Sequence, residues 1–272
     1  MRASRGRRSG AALLVVVVVL GALAFGARTL WRAAQSVVRP NGCDFGSYSL
    51  DLSQAQIASV VVGVVLRRDL PERAAVLTIG AALQESKLRN IPAGQGDRDS
   101  VGILQQRPSQ GWGTAEQISD VRYATGKFLD AVVRVPNWQD DSLATVVQTV
   151  QFSADGSAYA RHEEQAQAIA DALFGDAPAA VSCRLDKPDR SAAPASVAAA
   201  LTKDLPVGKP VASAKTVSVP GAGWATAAWF VCNADRLGIA TVRHDGKRWS
   251  YSGGWKDDQG ATSSAVVATL AH

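Results

Sequence analysis

Hydrophobic and polar positions divide the 272-residue chain into one continuous apolar run and a longer, amphipathic remainder. No residue from Ser9 to Ala27 is charged, and as a helix this run would span about 28 Å, close to the thickness of a bilayer core. Four arginines precede it within the first eight residues. By the positive-inside rule, we expect residues 1–10 in the cytoplasm, a transmembrane signal-anchor at 11–27 and an extracytoplasmic remainder.

These features predict a single-pass protein of the cell membrane with the bulk of its chain outside the cytoplasm. A cleavable signal peptide is the alternative, because Ala22-Leu23-Ala24 has the small-x-small form that a signal peptidase accepts. The uncleaved anchor is the favoured interpretation.

The exported part begins with a spacer at 28–45 and continues with apolar positions at helical spacing. The first predicted helix opens at Ser53, an N-cap residue that forms a capping box with Gln56. The second starts near Pro71, which suits a first helical turn, and ends at about Leu88. Further helical patterns lie near 114–118, 120–134, 142–152 and 158–174. The sequence therefore predicts a mainly α domain over residues 46–183.

The pattern changes after residue 183. Residues 184–210 are rich in Pro, Ala, Ser, Lys and Asp, a composition typical of linkers. The remainder, 211–272, predicts a small α/β module. Its expected elements are a strand at 211–219, a helix at 224–237 closed by Gly238, and a hairpin at 239–251 that turns at Asp245-Gly246.

Composition and charge narrow the classes of function. Hydrophobic residues make up 47% and charged residues 19% of the chain, which suits folded domains and excludes a largely disordered polymer. The net charge of +5 arises mostly from the four N-terminal arginines, and no basic stripe interleaved with aromatic residues occurs elsewhere. We therefore expect no nucleic-acid partner.

The expected export determines how the three cysteines are interpreted. Cysteine pairs tend to oxidise outside the cytoplasm, and Cys43 and Cys183 bracket the helical region, so we expect a disulfide between them. Cys232 lies in an apolar run and is expected to pack as a small hydrophobic residue. No group of cysteines or histidines has metal-ligand spacing, so the sequence predicts neither a metal nor a cofactor.

Two motifs carry the candidate chemistry. Ala82-Leu83-Gln84-Glu85-Ser86 ends the second predicted helix, and Gly102-Ile103-Leu104-Gln105, followed by Pro108, comes after a loop that contains Gly and Asp. This arrangement resembles the lytic transglycosylases and goose-type lysozymes of the lysozyme-like superfamily, over roughly residues 46–176. The resemblance implies a lysozyme-like fold, cleavage of the glycan strands of peptidoglycan, and Glu85 as the catalytic acid.

The chemistry expected of Glu85 supports this role independently. A general acid must stay protonated near neutral pH, above the ordinary glutamate pKa of about 4.3. Glu85 follows an apolar run, so its carboxyl should be partly desolvated, and the last turn of a helix disfavours negative charge. Lys87 and Arg89 are near in sequence, and either would lower the pKa of Glu85 if it turned toward the carboxyl.

The loop between the motifs supplies two further catalytic candidates, Asp97 and Asp99. They lie where goose-type lysozymes carry assisting aspartates, whereas lytic transglycosylases need none. In the transglycosylase mechanism that the resemblance implies, Glu85 protonates the leaving oxygen and then takes the proton of the C6 hydroxyl of N-acetylmuramic acid. A 1,6-anhydro ring results. The alternative for both aspartates is a solvated or turn-forming role.

The resemblance and the residue types also indicate substrate contacts. The expected substrate-binding residues are Ser86, Gly102, Gln105, Gln106, Trp112, Gln151 and Tyr159. Gly102 lets the main chain approach a sugar closely, and Trp112 lies between two glycines, where an aromatic ring can stack on a sugar. Gln151 and Tyr159 fall where a third family motif is expected, although Gln151-Phe152-Ser153-Ala154 replaces its usual Ala-Tyr-Asn-Ala-Gly sequence.

The sequence therefore predicts a lytic transglycosylase or muramidase whose partner is peptidoglycan. The alternative is a non-catalytic peptidoglycan-binding or envelope-assembly protein that retains the lysozyme-like fold. Glu85 favours the enzyme, and the altered third motif favours the binding protein. A transporter subunit fits poorly because only one spanning segment is predicted.

The four tryptophans of 211–272 are expected to form a small core, with an envelope-protein contact as the less favoured role.

Overall fold

The first two strands of the described chain form a hairpin that a third, distant strand joins. A computed structural model describes residues 40–151 and 157–271. β1 (Gly42–Phe45) pairs with β2 (Tyr48–Leu50) and with β3 (Val181–Arg184), both antiparallel, in the order β2-β1-β3. Cys43 and Cys183 are register partners and form a disulfide across a sequence separation of 140 residues. The predicted disulfide is confirmed.

Helix α1 (Leu52–Arg67) begins at a capping box. The side chain of its N-cap, Asp51, accepts a hydrogen bond from the Gln54 N–H, and Gln54 Oε1 accepts one from the Asp51 N–H, each at 2.8 Å. The capping box predicted at Ser53 and Gln56 is therefore wrong by two residues. Aspartate is an N-cap residue as good as serine, and both pairs have the same spacing, so the pattern alone did not separate them.

Helix α2 (Glu72–Ser86) lies at the centre of the fold. Every residue from Ala74 to Leu83 is buried, which requires neighbours on all sides of the helix. These neighbours include α1 and four helices that follow α2 in the chain. The helix ends at Lys87, which has a left-handed backbone conformation with φ of 56°.

The helices after α2 lie close to the predicted helical patterns. They are α3 (Ala115–Ser119), α4 (Val121–Val132), α5 (Leu143–Gln151), α6 (Ser157–Ala160) and α7 (Glu163–Phe174), with a 3-10 turn at Pro108–Gln110. Helix α7 packs along α2 and ends at Gly175. Only glycine fits there, because a Cβ would lie 2.2 Å from the backbone nitrogen of Ala225. The helical and C-terminal parts of the chain therefore meet closely at this point.

The C-terminal part of the chain forms a six-stranded antiparallel sheet in the order β4-β5-β9-β6-β7-β8. Its strands are β4 (Val211–Ala212), β5 (Thr216–Pro220), β6 (Ile239–His244), β7 (Lys247–Ser250), β8 (Gly254–Asp257) and β9 (Ala265–Leu270). Two helices, α9 (Trp224–Cys232) and α10 (Ala234–Leu237), connect β5 to β6. The predicted hairpin is confirmed, since β6 and β7 turn at Asp245 and Gly246, which both have positive φ.

Residues 184–210, whose composition predicts a linker, contain helix α8 (Pro194–Asp204). Val197 and Leu201 of α8 are fully buried, and the helix contacts α1, β4 and β5. Helix α9 packs in turn on α1, α7 and β3. Residues Asn41–His272 therefore group into one compact unit, and a single large hydrophobic cluster extends through the helical and C-terminal parts.

The predicted fold class is wrong, because the structure contains more β-sheet than was predicted. A mainly α lysozyme-like domain followed by a small α/β module does not account for two antiparallel sheets, one of six strands. The three-stranded sheet takes β1 from the expected spacer, and β8 and β9 follow the predicted hairpin. Strands of three or four residues contain too few alternating positions to reveal their period, so most of this sheet structure was not visible in the sequence.

No helix in the described ranges is both long and apolar enough to cross a membrane. The predicted transmembrane segment, 11–27, and the expected cytoplasmic N-terminus, 1–10, lie outside the described residues. Of the predicted spacer, 28–45, only residues 40–45 are described.

The side chain of Asp204, the last residue of α8, is fully buried and joins three helices. Its Oδ1 accepts a hydrogen bond from Arg122 Nε of α4 at 2.7 Å, and its Oδ2 accepts one from Trp229 Nε1 of α9 at 2.9 Å. Arg67 of α1 donates to the Asp204 carbonyl at 3.2 Å. Gly63 makes this approach possible, because a Cβ there would lie 2.5 Å from the same carbonyl oxygen.

We expect Asp204→Asn to lower the free energy of unfolding by about 2 to 4 kcal/mol, because it removes the buried charge that Arg122, itself partly exposed, is paired with. The amide preserves the size of the side chain, so no cavity is created. Urea unfolding followed by tryptophan fluorescence measures the change. The control is Asp130→Asn, which breaks the exposed pair with Arg68 and should cost less than about 1 kcal/mol. Equal losses in the two variants would contradict the role of Asp204.

Candidate active site

The carboxyl group of Glu85 projects from the last turn of α2 and is half-buried. Its Oε1 accepts a hydrogen bond from the Tyr159 hydroxyl at 2.5 Å. Tyr159 belongs to α6, is 2% exposed and is brought to Glu85 because α6 packs on α2. The sequence predicts Tyr159 as a substrate contact. Its hydroxyl instead fixes the position of the Glu85 carboxyl.

Burial raises the pKa of the Glu85 carboxyl, and the hydrogen bond from Tyr159 opposes this shift. The two nearby bases do not lower it. Arg89 turns to Asp51, with 2.6 Å between Nη2 and Oδ2, and Lys87 is exposed. Within residues 40–151 and 157–271, no lysine or arginine forms an ion pair with Glu85. The carboxyl therefore keeps its proton to a higher pH than an exposed glutamate would.

Ser86 holds the end of α2 against the second motif. Its hydroxyl donates a hydrogen bond to the Ile103 carbonyl at 2.7 Å and accepts one from the Arg89 N–H at 3.1 Å. Ser86 was expected to bind substrate, but its side chain is buried and its hydroxyl is used within the protein. Because Ser86 follows Glu85 directly, these bonds determine where Glu85 lies relative to the Gly102–Gln105 turn.

The Gly102–Gln105 turn is stabilised by its own residues and by α5. Gly102 has φ of 80°, and a Cβ would lie 2.8 Å from the Ile118 carbonyl oxygen, so the close approach that requires glycine is to the protein itself. The Gln105 amide donates to the Gly102 carbonyl at 2.9 Å. The Gln151 amide donates to the Leu104 carbonyl at 3.0 Å. The structure thus brings three of the predicted substrate residues together around this turn.

Gln106 and Trp112 lie deeper than the sequence suggests. Gln106 is 1% exposed, and its amide donates to the Ala124 carbonyl at 3.2 Å. Trp112 is partly buried and packs against both hydrophobic clusters of the fold, and its carbonyl accepts a hydrogen bond from the Tyr123 hydroxyl at 3.2 Å. The Gln106 side chain cannot contact a ligand unless the surrounding packing opens, whereas Trp112 retains an accessible edge.

The two loop aspartates have different environments. The Ser109 N–H donates to Asp99 Oδ2 at 2.8 Å, and Arg107 Nε donates to Oδ1 at 2.7 Å. These hydrogen bonds hold the pKa of Asp99 well below its usual range. The Asp97 side chain is 90% exposed and lies 4.0 Å from Arg98. Asp99 therefore braces the loop, while Asp97 is solvated.

A polar cluster beside Glu85 has no counterpart among the predicted site residues. Gln84 Oε1 accepts a hydrogen bond from Arg161 Nη2 at 2.8 Å and lies 3.1 Å from His162 Nε2. Burial, and then the charge of Arg161, lowers the pKa of His162. The position of Gln84 next to the motif glutamate was the only signal for this cluster in the sequence.

The sulphur atoms of Cys43, Cys183 and Cys232 lie within 4.8 Å of one another, the one such group of metal-ligand residues in the described part of the chain. Two of these sulphurs are joined in the disulfide and are not thiolate ligands. Cys232 is 2% exposed, and burial raises the pKa of its thiol. The prediction that Cys232 packs as a small hydrophobic residue is confirmed.

No protein-family model matches this sequence, and no curated protein sequence is significantly similar to it. The resemblance to lytic transglycosylases and goose-type lysozymes therefore stays a prediction, which rests on the two motifs and on the residues around Glu85.

We expect Glu85→Gln to stabilise the protein near pH 8 but not near pH 3, values on either side of the ordinary glutamate range. Because the pKa of Glu85 is higher in the folded than in the unfolded state, the stability that its protonated form contributes is present at low pH. That stability is lost as the pH rises through the folded pKa. Glutamine mimics the neutral acid at every pH.

Urea unfolding of both proteins at the two pH values measures this difference. Glu116→Gln, an exposed substitution on α3, is the control and should show no gain at high pH. The burial of the Glu85 carboxyl would be contradicted by equal stability of wild type and Glu85→Gln at both pH values.

Proposed function

We propose that this protein cleaves the glycan strands of peptidoglycan, with Glu85 first as general acid and then as general base. The observation that carries the proposal is a half-buried carboxyl whose pKa is raised and which is held by one tyrosine hydroxyl. A raised pKa favours the protonated form, which is the form that a general acid needs. Glu85 belongs to the Glu-Ser motif that resembles lytic transglycosylases and goose-type lysozymes, and Ser86 ties it to the Gly-Ile-Leu-Gln motif.

The proposed reaction consumes no water. Glu85 donates its proton to the glycosidic oxygen, and the bond between that oxygen and C1 of N-acetylmuramic acid breaks. The Glu85 carboxylate then takes the proton of the C6 hydroxyl of the same sugar, and O6 bonds to C1. The products are a strand with a free hydroxyl and a strand with a 1,6-anhydro end, and Glu85 is protonated again.

Tyr159 is a positioning residue in this scheme. Its hydroxyl donates to the carboxylate, which supports the ionised form that exists after the first proton transfer. Burial supports the protonated form that exists before it. Burial and Tyr159 thus favour the two protonation states that the proposed reaction uses in turn.

A transglycosylase accounts for the site better than a lysozyme-type hydrolase. A hydrolase uses a second carboxylate roughly 5 to 10 Å from the acid. Among the described residues, burial and Tyr159 account for the pKa shift of Glu85, with no contribution from another carboxylate. Asp99 is engaged by Arg107 and Ser109, and Asp97 is solvated. Asp99 therefore fits a structural role in the loop, and Asp97 fits a solvated one.

We infer that the reaction takes place outside the cytoplasm, where peptidoglycan lies. The disulfide between Cys43 and Cys183 supports this location, because disulfides form and persist in oxidising compartments.

Glu85→Gln should lower the rate of fragment release from purified peptidoglycan by about 10² to 10⁴, the usual effect of removing a positioned acid. Binding to insoluble peptidoglycan should be unchanged, since the amide has the same size. Soluble glycan release measures the rate, and co-sedimentation measures binding. Glu116→Gln is the matched control and should retain full activity. If wild type and Glu85→Gln bind equally and are equally inert, the protein is a non-catalytic peptidoglycan-binding or assembly protein instead.

Asp97→Asn and Asp99→Asn should each leave the rate of glycan release within about threefold of wild type, because the proposed reaction uses a single carboxylate. Asp99→Asn should also lower the midpoint of thermal unfolding slightly, since the neutral amide weakens the link between Arg107 and the loop. Loss of about 10² in rate in either variant, with the fold intact, would indicate a hydrolase with a second catalytic carboxylate.

A further inference from the structure

A row of basic side chains crosses three neighbouring strands of the six-stranded sheet. Arg243 of β6 is the register partner of Arg248 of β7, and Arg248 is the register partner of Lys256 of β8. Register partners lie on the same face of a sheet. Val242 and Trp249, at the alternate positions, are fully buried, so the basic row lies on the face away from the core.

This arrangement works against the stability of the sheet. Like charges directly opposite each other on paired strands are destabilising, and the row contains two such pairs. Asp258 compensates in part, since one oxygen lies 2.7 Å from Arg243 and 3.9 Å from Arg248. Lys256 forms no ion pair within the described ranges, and the two arginine side chains remain 43% and 46% exposed. A locally unfavourable, exposed pattern of this kind is typical of a binding site.

Two adjoining hollows add shape to the basic row. Thr241, Thr269, the two arginines and two carboxylates, Asp257 and Asp258, line a polar hollow of about 450 Å³. A second hollow of about 480 Å³ shares Thr269 and is more apolar, with Tyr251, Leu270 and Pro188 in its wall beside the charged Lys187 and Asp189. Because Asp257 and Asp258 are paired with Lys247 and Arg243, a ligand that occupies both hollows would present anionic groups to Arg248 and Lys256 and aliphatic groups to the second hollow.

We propose that this face, defined by Arg243, Arg248, Lys256 and the two hollows, binds the peptide stems of peptidoglycan. Stem peptides carry free carboxylates beside small aliphatic side chains, which match the basic row and the apolar hollow in charge and in polarity. Guanidinium groups bind carboxylates through paired hydrogen bonds. The choice of peptidoglycan as the polymer rests on the proposed function. The residues of the binding face lie far from Glu85 in the sequence. The face would therefore hold the protein on the wall through contacts that Glu85 does not make.

The test is co-sedimentation of the full-length protein, in mild detergent, with two probes whose glycan strands are covalently coupled to insoluble beads. One is purified peptidoglycan, and the other is the same material after an amidase has removed its stem peptides. All proteins carry Glu85→Gln to prevent cleavage during the assay. Arg248→Gln with Lys256→Gln should weaken binding to intact peptidoglycan about tenfold, consistent with the loss of two exposed charge contacts. The parent protein should bind stripped strands as weakly as this double variant binds intact peptidoglycan.

A control double variant, Lys203→Gln with Lys209→Gln, removes the same net charge from outside the binding face. Lys203 is exposed on α8, and Lys209 is exposed on the segment before β4. It should weaken binding by less than about twofold. The proposal is overturned by equal losses in the two double variants, by no loss in either, or by binding that survives removal of the stems. This assay measures binding alone. If wild type fails to cleave peptidoglycan in a separate assay, that result counts against the proposed function and not against the binding face.

Discussion

The buried carboxylate of Asp204 is the interaction on which the arrangement of the fold depends. A charge in a protein core is tolerated only when it is paired and hydrogen-bonded, and here the donors, Arg122 and Trp229, come from α4 and α9. Both bonds form only if α8 packs at the same time near α4 of the helical part and near α9, which precedes β6 of the six-stranded sheet. Because α1 contacts both α9 and α2, the C-terminal part of the chain supports the helix that carries Glu85.

The candidate active site depends on opposed effects at the end of that helix. Burial and the last-turn position favour the neutral form of Glu85, and the Tyr159 hydroxyl favours the carboxylate. The ionised group weakens the fold, so the protein loses some stability as the pH rises through the pKa of Glu85. Ser86 limits the effect of this loss of stability on the end of α2. Its hydrogen bond to the Ile103 carbonyl anchors the helix end, while the adjacent Glu85 carboxyl remains accessible.

Local patterns predicted the features that depend on nearby residues. The helical period and Pro71 identified α2, and Asp245-Gly246 identified the turn between β6 and β7. Features that depend on distant contacts were not predictable in the same way. The composition of 184–210 does not reveal that Asp204 finds its partners in other helices, and Tyr159 meets Glu85 across 74 positions of sequence. The third motif suggested Tyr159 as a site residue, but not its role.

The most direct test of the central claim is mass spectrometry of the fragments that the wild-type protein releases from purified peptidoglycan. If Glu85 alone moves a proton from the C6 hydroxyl to the glycosidic oxygen, every new end on the muramic acid side should be a 1,6-anhydro ring. Reducing ends in place of anhydro ends would contradict the single-carboxylate reaction, and release of no fragments would contradict the assignment of Glu85 as a catalytic acid.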